Sequence, residues 1–232
     1  DPHGVSSVNV GCRCSSSDTP VARTSPASCP KVSTDATVTE AMAATLAKRS
    51  EIASAAARHA PSRRYWAMVG NGANVVAAQE LRIKLSELCY KAIACDVTED
   101  KKHIDLSSEP LILVCAAGLV GSTADDVAKE VAIYRAHKAA PIVIATEGEA
   151  RFSAALAVIE VPRVHPTLDF VLSAVAGHLF GYECALSIDR LAQPVREMRA
   201  AIERTIKQRP PSTTSREKGP QISMNTQART VL

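Results

Sequence analysis

The chain has 232 residues, 46% hydrophobic and only 3% aromatic, and 27 Lys and Arg against 24 Asp and Glu leave a net charge of +3. That charge is too small, and the basic residues too scattered and too free of interleaved aromatics, for a nucleic-acid surface. No apolar run approaches the ~20 residues of a membrane span, and no N-terminal apolar core marks a signal peptide.

Abundant Ala and Val with few aromatics suit helices packed on a parallel sheet better than a β-sandwich. The seven cysteines fall into two groups. Cys12, Cys14 and Cys29 lie in a polar N-terminal stretch. Cys89, Cys95, Cys115 and Cys184 lie in apolar runs, where free buried thiols are expected. None has zinc-type spacing with a nearby His, so neither a metal nor a cofactor is expected. The thiols fit a reducing, cytoplasmic compartment.

Residues 1–36 are rich in Ser, Thr, Pro and Cys without periodicity and read as disordered, or as a remnant. Residues 38–59 read as a lead-in helix within 37–61. Thr37 or Thr39 is its cap, Met42, Leu46, Ile52 and Ala56 form its apolar side, and Pro61 ends it. The first strand is 65–69. Gly70-Asn71-Gly72 then permits a tight strand-to-helix turn with close backbone approach. Such a turn can aim amide groups at an anion. Taken alone it is a compact βα connection, because position 75 is Val and the dinucleotide fingerprint is incomplete.

A helix over 73–90 follows, with Val76, Ile83, Leu85 and Leu88 among its apolar residues. Glu80, Lys84 and Glu87 share one face. By periodicity alone this is a solvated salt-bridge face; in a pocket it would be a carboxylate–ammonium–carboxylate row able to move protons. A strand over 91–97 leads to a charged loop, 98–103, ending at His103. The continuous apolar run 111–116 is a central buried parallel strand. In the loop after it, Ser122 and Thr123 are N-caps for a helix over 124–137, with Asp125 and Asp126 in its first turn. The aspartates argue for capping there and against a phosphate. Strands at 141–146 and 154–161, a buried helix over 166–186 and a last helix over 189–208 complete the set. His165 reads as a helix-start residue and His178 as a core or interface residue. The tail, 209–232, is rich in Pro, Ser and Thr and reads as mobile. Together these give an α/β, flavodoxin-like, doubly wound five-stranded parallel sheet over 62–208.

Gly70-Asn71-Gly72, then Glu80, Lys84, Glu87 and Tyr90, then Lys101-Lys102-His103, stand in an order that resembles the sugar isomerase (SIS) domains. The particular likeness is to the second SIS domain of glutamine–fructose-6-phosphate transaminases. Ile159-Glu160-Val161-Pro162 before a long apolar helix, and Gln193-Pro194 beyond it, look like later segments of the same family. The resemblance covers 62–203. It implies a cytoplasmic, homodimeric, sugar-phosphate-binding domain without a cofactor. It is the C-terminal isomerase half of an enzyme that converts fructose 6-phosphate to glucosamine 6-phosphate in amino-sugar biosynthesis, or alternatively a non-catalytic module for phosphosugar sensing or dimerisation. By the same resemblance, Glu87 is the proton-shuttling carboxylate, Lys84 assists it and His103 opens the sugar ring from a neighbouring subunit. Glu80, Gly70 and Gly72 contact substrate.

The chain also departs from the family. Its loop runs His103-Ile104-Asp105 where the family has His-Gly-Pro. Arg199 stands near the family's Schiff-base lysine, and an arginine forms no imine. The Ser/Thr-rich phosphate loop of a first SIS domain and the N-terminal glutaminase domain have no counterpart, which makes the chain read as the C-terminal portion of a longer enzyme or a divergent relative.

Overall fold

Five apolar runs become five strands in the computed structural model, which describes residues 34–101 and 106–208. The two tails, with Cys12, Cys14 and Cys29, lie outside the described residues, as do Lys102 and His103. In chain order the elements are α1 (Thr34–Ala47), α2 (Arg49–His59), β1 (Trp66–Gly70), α3 (Asn74–Cys89), β2 (Ile93–Asp96), α4 (Thr98–Lys101), a 3-10 turn (Leu106–Ser108), β3 (Leu111–Ala116), α5 (Gly121–Ala136), β4 (Ala140–Thr146), β5 (Ala157–Val161) and α6 (Asp169–Lys207).

The strands pair in the order β2-β1-β3-β4-β5, all parallel. β3 and β4 are buried along their whole length, which their unbroken apolar sequences require. Because side chains alternate across a strand, each central strand feeds both faces. One face carries Met68, Leu113 and Ile144 against α1, α2, α3 and α6; the other carries Val69, Val114 and Val143 against α5, with Phe152 and Leu106 at its margins. α3 connects β1 to β2 on the first face and α5 connects β3 to β4 on the second, the doubly wound arrangement expected from the sequence.

Several boundaries differ from expectation. The lead-in helix is two helices, broken at Lys48, whose ammonium group reaches Glu147 Oε1 at 2.6 Å and the Glu160 carbonyl at 3.2 Å. Ile52, Ala56 and Ala60 of this region enter the main core. Thr37 and Thr39 lie inside α1 and do not start it. The two C-terminal helices are one helix of 39 residues that runs through Pro194. By length and composition α6 could cross a membrane, but half of its apolar window is buried in the domain itself. On α3 the buried side is Ala77, Ala78, Leu81, Leu85 and Cys89, while Val76, Ile83 and Leu88 face outward.

The α3–α6 contact is close because α6 offers no side chain at two points. A Cβ on Gly177 would stand 2.2 Å from Leu81 Cδ1, and one on Gly181 would stand 2.5 Å from Leu85 Cδ1. Both leucines are fully buried and have nowhere to retreat. Gly177→Ala is therefore expected to destabilise the domain by about 1–3 kcal/mol despite the better helix propensity of Ala. Pairing it with Leu81→Val should recover part of the loss in chemical denaturation. An Ala variant as stable as the wild type would contradict the close packing.

Candidate functional site

In an open parallel sheet the crevice for a ligand opens where two neighbouring strands send their connections to opposite faces. Here that point lies between the carboxyl ends of β1 and β3. A cavity of about 280 Å³ occupies it, lined by Asn71–Asn74, by 117–120 and Thr123, and by Pro166, Asp169 and Phe170. It thus collects the starts of α3, α5 and α6.

Gly70 and Gly72 build the first wall. A Cβ on Gly70 would lie 2.4 Å from the Asn74 carbonyl oxygen, and Gly72 adopts φ +57°, in the left-handed region. The Asn71, Gly72 and Ala73 carbonyls accept from the N–H groups of Asn74, Val75 and Val76 at 3.1–3.2 Å, so the first amides of α3 are taken up by the turn itself. Asn74 is buried and bridges three elements: its amide donates to the Ala117 carbonyl at 2.8 Å and its oxygen accepts from Ser173 Oγ at 2.7 Å. Asn71 Oδ1 accepts from Thr98 Oγ1 at 2.9 Å and from Thr98 N at 3.2 Å, and the Tyr134 hydroxyl donates to the Thr98 carbonyl.

The second wall follows β3. Gly118 (φ +74°) donates its N–H to Thr146 Oγ1 at 2.8 Å. Ser122 and Thr123 do not cap α5. The helix begins one residue before them, after Val120, and no side chain caps it. Each of the two aspartates has a surface salt bridge: Asp125 with Arg151 at 3.2 Å and Asp126 with Lys129 at 3.1 Å. The first turn of α5 is exposed, Ser122 and Thr123 included. Free amides at a helix start favour an anion.

The third wall is the start of α6. Asp169 is 5% exposed, and among the described residues Oδ1 has no hydrogen-bond partner. Its Oδ2 stands where a Cβ on residue 118 would be, 1.9 Å away, so only glycine fits there. Burial pushes its pKa up from 3.8, against the Val164 N–H and the charges of Arg163 and His165.

The carboxylate–ammonium row lies elsewhere. Glu80, Lys84 and Glu87 run along the outer side of α3 and do not line the switch-point cavity. Lys84 Nζ meets Glu87 Oε2 at 3.4 Å with side chains 46% and 62% exposed, a pair of little energetic weight. Glu80 Oε1 is 3.3 Å from His178 Nε2 on α6, without hydrogen-bonding angles. Along the helix axis Glu87 is about 20 Å from Asn74. His103 lies outside the described residues.

Cys89, Cys115 and Cys184 are buried and free, and Cys95 is half-buried. Burial pushes the Cys89 thiol up to about 11 and raises those of Cys115 and Cys184 further, so none is a nucleophile. Among the described residues no group of His, Cys, Asp and Glu side chains is placed to hold a metal.

Two outcomes follow from these contacts. Asn74→Ala strands the Ala117 carbonyl and the Ser173 hydroxyl, and should cost about 1–3 kcal/mol in urea denaturation. For Asp169 the folded pKa lies above the unfolded one. Its contribution to stability is therefore intact below pH 3.8 and falls as pH rises through the folded pKa. Asp169→Asn removes this loss, so the variant should gain on the wild type with rising pH across that window. A stability difference independent of pH would contradict the assignment.

Solved structures share this architecture. The chain superposes on the C-terminal domain of glucosamine-fructose-6-phosphate aminotransferase from Francisella tularensis with a TM-score of 0.59 and 16% identity, over 66% of this chain and 44% of that one. For tagatose-6-phosphate ketose/aldose isomerase from Escherichia coli the TM-score is 0.53 and the identity 21%, over 64% and 42%. For the sugar isomerase domain of the RpiR transcription factor from Sphaerobacter thermophilus they are 0.50 and 13%, over 74% and 94%. This chain spans less than half the length of each of the first two. No family model matches the sequence, and no curated protein is significantly similar to it. The fold is that of the sugar isomerase domain.

Proposed function

We propose that this chain is a cytoplasmic sugar-phosphate-binding domain, and that it takes the phosphate of its ligand at the open start of α5. The observation that carries the reading is the first turn of α5, without a side-chain cap, at the switch-point cavity that Val120 and Thr123 line, with each of its aspartates in a surface salt bridge. A phosphate there accepts from the amides and hydroxyls at once. Asp169, across the cavity, has an unpartnered oxygen to offer a sugar hydroxyl. Two neighbours in structure are named for hexose 6-phosphates, which supports the ligand class.

Glu80, Lys84 and Glu87 keep a separate role in this reading. A hexose phosphate seated at α5 does not span the distance to Glu87. The row is also too exposed to water to tune a catalytic carboxylate. It becomes a catalytic half-site only when another domain or copy covers it and supplies both the sugar and a group such as His103. The second reading, the isomerase half of a glucosamine-6-phosphate synthase-like enzyme, rests on this outward row. The first, a binding module, rests on the cavity.

Isothermal titration separates them. Fructose 6-phosphate and glucosamine 6-phosphate should give heat and unphosphorylated fructose none, and Thr123→Glu should weaken binding at least tenfold. Silence with both phosphosugars would sink the cavity reading. Conversion of fructose 6-phosphate to glucose 6-phosphate that disappears in Glu87→Gln would establish the second reading. Conversion that survives that change would remove Glu87 as the base.

A further inference from the structure

The switch-point cavity has two unlike ends. One is the first turn of α5, where backbone amides favour an anion. The other is Asp169, the first residue of α6. At about 280 Å³ the cavity falls at the small end of the range for small-molecule sites, about 300–1,000 Å³. A ligand that fills so small a space and reaches the amides also meets Asp169.

The Asp169 end is a built feature. The residue is nine-tenths buried, and Oδ1 has no hydrogen-bond partner among the described residues. Oδ2 occupies the place where a Cβ on residue 118 would stand, so the carboxyl is wedged against Gly118. Among the described residues Asp169 is also the one ionisable side chain lining the cavity. Arg163 and His165, on the segment before α6, are the cations that bear on it, and neither lines the cavity.

An unpaired carboxylate oxygen accepts and never donates, so it calls for a donor on the ligand. A sugar hydroxyl supplies one. An ionised carboxylate or a second phosphate supplies none, and it sets like charge beside a buried acid with no cation on the wall to offset it. Such a contact discriminates by repulsion as much as by attraction.

Resting on the reading of this cavity as a sugar-phosphate site, we infer that Asp169 sets its specificity. The site takes neutral sugars that carry a single phosphate and rejects sugar acids and bisphosphates.

Isothermal titration of the full chain with two matched pairs tests this. Glucose 6-phosphate should bind roughly tenfold or more tighter than 6-phosphogluconate, and fructose 6-phosphate by a similar factor tighter than fructose 1,6-bisphosphate. Asp169→Asn keeps the shape of the side chain and adds a donor, so it should narrow both gaps to about threefold or less. Equal affinities within each pair in the wild type overturn the inference and leave the sugar-phosphate reading standing; that comparison needs no variant to fold. Gaps that Asp169→Asn leaves unchanged overturn it too, because the acids would then be excluded by size. Silence with all four ligands sinks the sugar-phosphate reading, and the assignment of Asp169 with it.

Discussion

The buried side chain of Asn74 holds the functional end of the sheet together. It joins the start of α3 to the exit of β3 through the Ala117 carbonyl, and both to α6 through Ser173. These segments leave the sheet toward opposite faces, so no continuous backbone ladder ties them. A single amide can do so because it donates on one side and accepts on the other. Gly118 extends the tie to β4 through Thr146, and Asn71 extends it to α4 through Thr98. In a low-dielectric site a fully paired network of this kind is rigid, and a partly paired one is costly. The exception is Asp169, whose Oδ1 is left over.

Much of the architecture was legible because burial on both faces writes itself plainly. The β3 run Leu111–Ala116 admits no other reading, and its predicted bounds match the strand. The doubly wound parallel sheet followed from alternation of strands and helices. The errors came where small or mixed residues carry the packing. On α3 the apolar residues Val76, Ile83 and Leu88 face outward, while the smaller Ala77 and Ala78 face the core with Leu81 and Leu85. The helices expected over 166–186 and 189–208 are one continuous helix. Ser122 and Thr123 suggested caps, yet the chain enters α5 earlier, at Gly121, whose φ of +60° re-aims the turn.

The candidate site was less legible than the fold. Gly72 lines the cavity and Gly70 lies beneath it, as a glycine turn implies. Asn74, Thr146, Asp169 and Ser173 sit in no repeating pattern, and only the third dimension brings them together. One cue was available: Thr146 is a polar residue at the end of an apolar run, where β4 reaches the carboxyl edge of the sheet. The row Glu80, Lys84, Glu87 was visible as a pattern. Periodicity cannot say whether such a face meets water or a partner, and in this chain it meets water.

α6 connects these separate features. Its first residue, Asp169, lines the cavity; Gly177 and Gly181 lock it against α3 beside the Glu80–His178 contact; and its last turns expose Leu191, Val195, Ile202 and Ile206. At 1.5 Å per residue it is a rod of about 60 Å. The Gly177 and Gly181 contacts leave no room for it to slide past Leu81 and Leu85 without repacking the core. A displacement at the cavity end therefore has to be carried by α3 and α6 together, since two interlocked helices move as one body more readily than they shear.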